Sequence, residues 1–529
     1  MRHGYREEMV APGEHNLARL AEQAFQRRGD YEALLFEGRW HRSGELYERS
    51  CRLAAGLSEL GIEAGDRVVV TMANCPEVGI TYQALWRAGA VVTPATFLLS
   101  AEELGGLIVD SGATAVVTTP ELLPKVLSVV SGLGAVRAVI TVGEAASGAL
   151  ALAELERAEP GAIVDREDDD LAALLYTGGT TGRAKGVMLS HANLYFSGAA
   201  AQQSSHVPGV NRTLVTLPLS HSYGLLVTIG GMHSPELGIA VLLRWFDPTE
   251  FLELIQEHQL QQSAVVPTML QILLSQPLER YDLSSLRYLT SGGAPLAWEL
   301  AEEFSRRVPS AAIRQGYGLT ETAALVSTNP AGAERPGSVG LPVPGTEVRI
   351  IDAEGEEVPT GEAGEICCRS PGVMRGYWQA PEATAQALHD GWLMTGDIGY
   401  LDADGYLFIV DRKKDLIIRG GFNVYPRDVE DVLLEHPEIE LAGVVGRPDS
   451  DRGEEVVAFV SLRSGSQATP EELVGWARER IGGYKYPREV HIVDAVPLTP
   501  VGKIDRKALR SSLASSLPAG SAAPRASEG

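Results

Sequence analysis

Tyr176 to Gly186 reads YTGGTTGRAKG and follows the short apolar run Leu171 to Leu175. Thr177, Thr180 and Thr181 supply hydroxyls; Gly178, Gly179, Gly182 and Gly186 free the backbone; Arg183 and Lys185 supply positive charge. Glycine admits positive φ and close backbone approach, so successive N–H groups can converge on an anion while hydroxyls and a lysine add donors. The stretch therefore reads as a strand running into a phosphate loop. It is not the Walker loop, in which Gly-Lys-Ser/Thr follows four spacer residues, because Gly182 is followed by Arg183. A flexible surface turn could carry the same glycines, so the surroundings decide.

Upstream, Leu46, Leu53, Leu57 and Leu60 recur at helical spacing and end at Gly61, which predicts an amphipathic helix over Ser43 to Leu60. Strands are predicted at Asp66 to Met72, Gly89 to Pro94 and Thr114 to Thr119, with helices at Pro76 to Ala88 and Ala101 to Asp110. Short β-rich runs alternating with helices indicate parallel sheets covered on both faces. This part reads as scaffold.

Downstream, a strand at Thr213 to Leu217 delivers Pro218-Leu219-Ser220-His221-Ser222-Tyr223-Gly224 at its end, where ligands bind in such sheets. Two more strands lead into glycine turns: Tyr288 to Ser291 into Gly292-Gly293-Ala294-Pro295, and Ala312 to Gln315 into Gly316-Tyr317-Gly318-Leu319-Thr320-Glu321. The adjacent hydroxyl and carboxylate of Thr320 and Glu321 suit one phosphate and one Mg²⁺ contact. Beyond Gly340 the texture changes. Glu347 to Cys368 and Gly405 to Asp411 read as short antiparallel strands, and Thr395-Gly396-Asp397 as a tight turn or a ribose acceptor.

The charged break Asp411-Arg412-Lys413-Lys414-Asp415 marks a domain boundary. After it come a strand, the turn Gly420-Gly421, a helix from about Pro426, strands at Ala442 to Val445 and Val456 to Leu462, a helix from Thr469 to Ile481 and a strand at Glu489 to Val493. The resulting division is 1–411, a large domain; 412–415, a hinge; 416–510, a small domain; and 511–529, a Ser/Ala/Pro/Gly-rich tail expected to be disordered.

The 529 residues exceed what one core holds. Net charge is 45 − 69 = −24, which argues against non-specific binding to nucleic acid or anionic lipid. Cys51, Cys75, Cys367 and Cys368 form no CxxC pair, the N-terminus is charged, and no apolar run approaches the roughly 20 residues needed to span a bilayer. A soluble, reduced, cytoplasmic setting is expected, without a transmembrane segment.

Taken together, these stretches resemble the adenylate-forming superfamily of acyl- and aryl-CoA synthetases, peptide-synthetase adenylation domains and firefly-type luciferases. The resemblance spans roughly Leu20 to Leu509. It rests on the phosphate loop at Thr177 to Gly186, PLSH at Pro218 to His221, SGGAP at Ser291 to Pro295, YGLTE at Tyr317 to Glu321, TGD at Thr395 to Asp397, DRKKD at Asp411 to Asp415 and PVGKIDR at Pro500 to Arg506. Ile417 to Glu430 and Tyr484 to Arg488 are similar to the corresponding runs of fatty-acid and aromatic-acid CoA ligases. Two positions depart from the pattern: Gly179 stands where many relatives have Ser, and Ala184 where many have Pro.

The resemblance implies an α/β fold in which a large N-terminal domain of packed α/β sheets with a small antiparallel β unit is followed by a smaller, mobile α+β C-terminal domain. It implies ATP, Mg²⁺ and coenzyme A as cosubstrates or cofactors, a small-molecule carboxylic acid as partner, and allows a homodimer. In the implied chemistry the acid attacks the α-phosphorus of ATP, and the CoA thiol then displaces AMP. Thr177, Gly178, Gly179, Thr180, Thr181, Gly182 and Lys185 would hold phosphates. Thr320 would contact the α-phosphate and Glu321 the Mg²⁺. Tyr317 and Gly318 would face adenine opposite Gly293, Ala294 and Pro295, and Asp397 and Arg412 would take the ribose. Lys503 would bridge carboxylate and α-phosphate, Lys414 would be the hinge, Gly420 and Gly421 would line the CoA channel, and His221 would gate it. An apolar fatty acid of unread chain length is favoured as substrate; delivery of the acyl-AMP to a carrier protein, or ligation of an aromatic acid to CoA, is the alternative.

Overall fold

The structure is a computed structural model that describes residues 14–177, 184–449, 451–499 and 503–516. The chain divides into two compact units. The first comprises residues 1–362, 366–395 and 401–408; the second comprises 363–365, 396–400 and everything from Ile409 onward.

The first unit contains two large sheets. In one, the strands Val91–Pro94, Arg67–Thr71, Ala115–Thr118 and Ala138–Thr141 run parallel, flanked on one side by the antiparallel hairpin Leu171–Thr177/Lys185–Ser190. Alternate residues bury opposite faces. Val69, Val116 and Val139 meet the helices Ala101–Ser111 and Leu123–Val130, while Val68, Val70, Val117 and Ile140 meet Val78, Tyr82, Leu85 and Trp86 of the helix Pro76–Arg87. That two-sided burial explains why the strands are β-branched throughout. The polar tips of the two large aromatics inside are satisfied: Trp86 Nε1 donates to Ala172 O at 3.1 Å and Tyr82 Oη to Leu219 O at 3.0 Å.

The second large sheet aligns Glu32–Phe36, Ile239–Leu242, Arg212–Val215, Gln262–Val265, Tyr288–Ser291 and Ala312–Tyr317 in parallel. Leu214, Val241, Val265 and Leu289 pack on Phe251, Ile255, Leu270 and Phe304 of the covering helices. All six strands therefore end at the same sheet edge.

The second unit is built on the antiparallel strands Phe422–Val424, Ile417–Arg419, Gly453–Leu462 and Ile439–Asp449, with Glu489–Ile492 parallel to Gly453–Leu462. Pro426–Leu434 and Pro470–Arg480 cover one face. The latter begins with the expected cap: Thr469 Oγ1 accepts from Glu472 N, and Glu472 answers on Thr469 N.

Two expectations are corrected. Thr395-Gly396-Asp397 is not a tight turn but the middle of the strand Trp392–Leu401, with Gly396 at φ +70 and its N–H donated to Glu365 Oε1 at 3.2 Å. Order does not stop at Ser511. A helix runs over Arg506–Ser516 because Leu509 and Leu513, four residues apart, bury against Val445, Val457 and Phe459. Among the described residues, no helix is long and apolar enough to cross a membrane, and all four cysteines are free.

Candidate active site

The hairpin Leu171–Thr177/Lys185–Ser190 pairs Thr177 with Lys185 and Tyr176 with Gly186, so the phosphate-loop stretch is the connection between two paired strands. Thr177 Oγ1 lies 3.5 Å from Lys185 O. Gly178, Gly179, Thr180, Thr181 and Gly182, assigned to phosphate from the sequence, lie outside the described residues. Tyr176 Oη donates to Asp110 Oδ2 at 2.7 Å, fixing the strand end from the other side.

The common edge of the parallel sheet gathers most of the remaining candidates of the first unit. His221 follows Arg212–Val215 and caps the helix Ser222–His233: its Nδ1 accepts from Tyr223 N at 3.3 Å. A backbone N–H only donates, so a neutral His221 carries its proton on Nε2. Gly293, Ala294 and Pro295 follow Tyr288–Ser291, and Tyr317 ends Ala312–Tyr317. Gly318 is required by close approach, since a Cβ there would fall 2.2 Å from Ala324 O.

Thr320 and Glu321 form a 3₁₀ turn with Thr322, whose Oγ1 accepts from Leu319 N at 3.0 Å. Ala323 and Ala324 then adopt left-handed φ of 48° and 73°. Such strain persists only where surrounding structure imposes it. Here Glu321 O accepts from Met374 N at 2.8 Å and Glu321 Oε1 accepts from Tyr377 Oη at 2.8 Å. Lys185 Nζ sits 4.8 Å from the centroid of the same Tyr377 ring. Among the described residues no cluster of three or more His, Cys, Asp or Glu could cage a metal. A single hard carboxylate beside hydroxyls fits Mg²⁺, which is commonly held by one or two carboxylates plus substrate phosphates.

The second unit brings together the other candidates. Asp397 is buried, and its Oδ1 pairs with Arg412 Nε at 2.9 Å. Lys413 Nζ pairs with Glu365 Oε2 at 2.7 Å. Lys414 is pushed down to about 8 by the protein mass around it and then by Arg412 and Lys503, against the pull of Asp415 and Asp397. Lys503 is thus within electrostatic reach of the Arg412–Lys414 segment. Its backbone closes a turn with Thr499, Thr499 N donating to Lys503 O at 2.7 Å and Lys503 N to Thr499 Oγ1 at 3.1 Å. Gly420 and Gly421, with φ of 58° and 81°, form the two-residue turn between Ile417–Arg419 and Phe422–Val424, a geometry that needs positive φ at both positions.

Sequence reasoning missed two groups. One is Tyr377, which meets both Lys185 and Glu321; the Gly-Tyr-Trp triplet at Gly376–Trp378 was its only signal. The other is the anchor beneath Lys503. Arg506 Nη2 donates to both oxygens of buried Glu430 at 2.7 Å, and Arg510 Nη2 to Asp415 Oδ1 at 2.9 Å. Burial pushes the Glu430 carboxyl up to about 7, with Arg506 opposing.

Residues 20–378 match the AMP-binding enzyme family, and residues 428–503 match the C-terminal domain of AMP-binding enzymes. The chain is similar to a feruloyl-CoA synthase of Amycolatopsis sp, 39% identical over 87% of this chain and 91% of the relative. It is also similar to a long-chain-fatty-acid–CoA ligase of Bacillus subtilis (strain 168), 36% identical over 91% of each. Among solved structures, ATP-bound MatB from Rhodopseudomonas palustris superposes with a TM-score of 0.86 at 33% identity, covering 94% of this chain and 98% of that one. The protein belongs to the AMP-binding enzyme family, the adenylate-forming superfamily that its motifs resemble.

Proposed function

We propose that the protein condenses an apolar carboxylic acid with coenzyme A at the expense of ATP, through an acyl-AMP intermediate, with release of pyrophosphate and AMP. It is an AMP-forming acid–thiol ligase. The observation that carries the reading is the set of His221, Gly293 to Pro295, Tyr317, Thr320 and Glu321 at one edge of one parallel sheet.

Attack of a carboxylate on a polyanion needs cations and aligned donors. In our reading Thr177 and Lys185, with the loop from Gly178 to Gly182, hold the distal phosphates. Thr320 hydrogen-bonds the α-phosphate, and Glu321 is the protein's carboxylate for Mg²⁺, which when bound supplies positive charge at the phosphate oxygens. Tyr317 stacks on adenine, and Asp397 accepts the ribose hydroxyls with Arg412 donating beside it. Lys503 bridges the incoming carboxylate and the α-phosphate in the first step. The small unit turns at Lys414 for the second, presenting Gly420 and Gly421 to the pantetheine arm, with His221 at the meeting of the carboxylate and thiol approaches. A cytoplasmic setting belongs to the same reading and is supported by the free thiols.

A second reading, an aromatic acid with a polar ring substituent, is favoured by Tyr223. Burial pushes its phenol up to about 12, and among the described residues its hydroxyl makes no hydrogen bond. A pyrophosphate-release screen with CoA over saturated fatty acids and hydroxylated cinnamic acids separates the two. Turnover of fatty acids alone supports the first reading, and turnover of the ring acids alone replaces it with the second. No CoA consumption with any acid that releases pyrophosphate points to another acyl acceptor.

Gly421→Leu is expected to slow thioester formation from supplied acyl-AMP by far more than it slows pyrophosphate release. The leucine adds both left-handed strain of about 1–2 kcal/mol and bulk, so Gly421→Asn, which tolerates positive φ, separates the two effects. An equal loss in both half-reactions would assign the turn to stability alone.

A further inference from the structure

Tyr377 belongs to a short strap that grips the site at two points. Gly376–Tyr377 pairs antiparallel with Val187–Met188 of the strand that begins at Lys185, and Trp378 N donates to Gly186 O at 2.7 Å. On the other side, Met374 N holds the backbone carbonyl of Glu321. The strap is itself fixed: Tyr377 N donates to Thr384 Oγ1 at 2.8 Å, and Trp378 Nε1 to Asp110 O at 3.0 Å. The Tyr377 ring therefore has little freedom to leave.

Its two chemical faces meet two different charges. The phenol donates to Glu321 Oε1, and the π face receives Lys185 Nζ. Glu321 and Lys185 meet the same ring, yet among the described residues Lys185 forms no ion pair with a carboxylate. The ring face offers the ammonium an attraction of its own, separate from the carboxylate that the phenol holds. A hydrogen bond on Oε1 also restrains the carboxylate, the kind of support usual behind a ligating carboxylate.

We propose that Tyr377 is a positioning residue that keeps Glu321 and Lys185 apart and preorganised, the carboxylate for Mg²⁺ and the ammonium for phosphate. The proposal rests on the reading of this edge as an ATP site. It predicts a separable effect for each face of the ring. Tyr377→Phe keeps the π face and loses the donor, so it weakens the metal's hold and leaves the cation in place. Tyr377→Leu loses both, and frees Lys185 to fall onto Glu321.

Calorimetric titration of the whole chain with ATP, once with Mg²⁺ and once with EDTA, tests this without turnover. Tyr377→Phe is expected to weaken Mg·ATP by roughly 10–100-fold and to leave metal-free ATP unchanged. In a Glu321→Gln background it should add nothing, because its partner charge is gone. Tyr377→Leu should weaken ATP in both conditions. Equal weakening with and without Mg²⁺ in Tyr377→Phe, or none, overturns the proposal, as does full additivity with Glu321→Gln. Failure of the wild-type chain to bind ATP under either condition would instead remove the reading of the site on which the proposal stands.

Discussion

Replacing Lys503 with alanine is expected to lower acyl-AMP formation by at least about 10²–10³-fold, or roughly 3–4 kcal/mol. Two anions, the acid carboxylate and the α-phosphate, must approach while charge builds on the phosphoryl oxygens, and an ammonium aimed at that charge acts most strongly in the transition state. The residue is exposed, its backbone N–H held by Thr499, and it lies within the field of Lys414, so its removal takes away a charge without opening a core. ATP affinity should change little, and thioester formation from supplied acyl-AMP should be far less affected than pyrophosphate release. The two half-reactions measured separately on the purified variant decide the matter. Pyrophosphate release near the wild-type rate would reject the role given to Lys503.

The second large effect is on stability. Arg506→Ala leaves Glu430 buried, with Val444 N its remaining donor among the described residues and with Asp411 and Asp431 nearby. Breaking a buried pair by removing one partner typically costs about 3–5 kcal/mol, because an uncompensated charge remains. Hydrogen exchange on the amides of Pro426–Leu434 and Ile439–Asp449 should report that loss. The sign of its pH dependence follows from Glu430. Its folded-state pKa is already raised to about 7 from the ordinary 4.5, so its ionisation costs stability as pH rises through that window. Without Arg506 the carboxyl rises further and can go neutral in acid. The damage should therefore shrink toward pH 5.5 and be greatest near pH 8. Replacing both members, Glu430→Met with Arg506→Met, should recover most of the loss. A single variant as stable as wild type at pH 8 would show that the pair holds nothing together.

Much of the fold was legible where local signals agree with the final structure. The helix after Thr469 has its capping box written in the sequence, and the β-branched runs at Arg67–Thr71 and Ala115–Thr118 announce strands covered on both sides. The failures have a common cause in contacts distant along the chain. Glu32–Phe36 joins the large sheet by pairing with Ile239–Leu242, some two hundred residues away, besides its local hairpin with Arg39–Arg42, and was not anticipated. Thr395-Gly396-Asp397 has turn composition, but flanking pairing carries the strand through it, and the glycine is absorbed as a local distortion. Helix Arg506–Ser516 is polar enough to pass for a tail until Leu509 and Leu513 find their apolar face. In the candidate site, motif residues could be singled out because strand ends are where such sheets bind ligands, and the structure places them at one sheet edge. Tyr377 was not, because nothing local says that its ring meets a lysine and a glutamate in segments nearly two hundred and about fifty residues earlier.

The small unit is not one uninterrupted length of chain, since it includes residues 363–365 and 396–400 as well as all that follows Ile409. Glu365 and Asp397, which neutralise Lys413 and Arg412, sit in those two borrowed pieces. A chimera spliced at the DRKKD break would thus import two cations and leave their counter-ions to be supplied by a foreign sequence. Crossover points for grafting this unit onto a relative belong instead before Ala363, or else the graft must carry matching carboxylates at both positions. For this chain the frame of the small unit is wider than the hinge suggests.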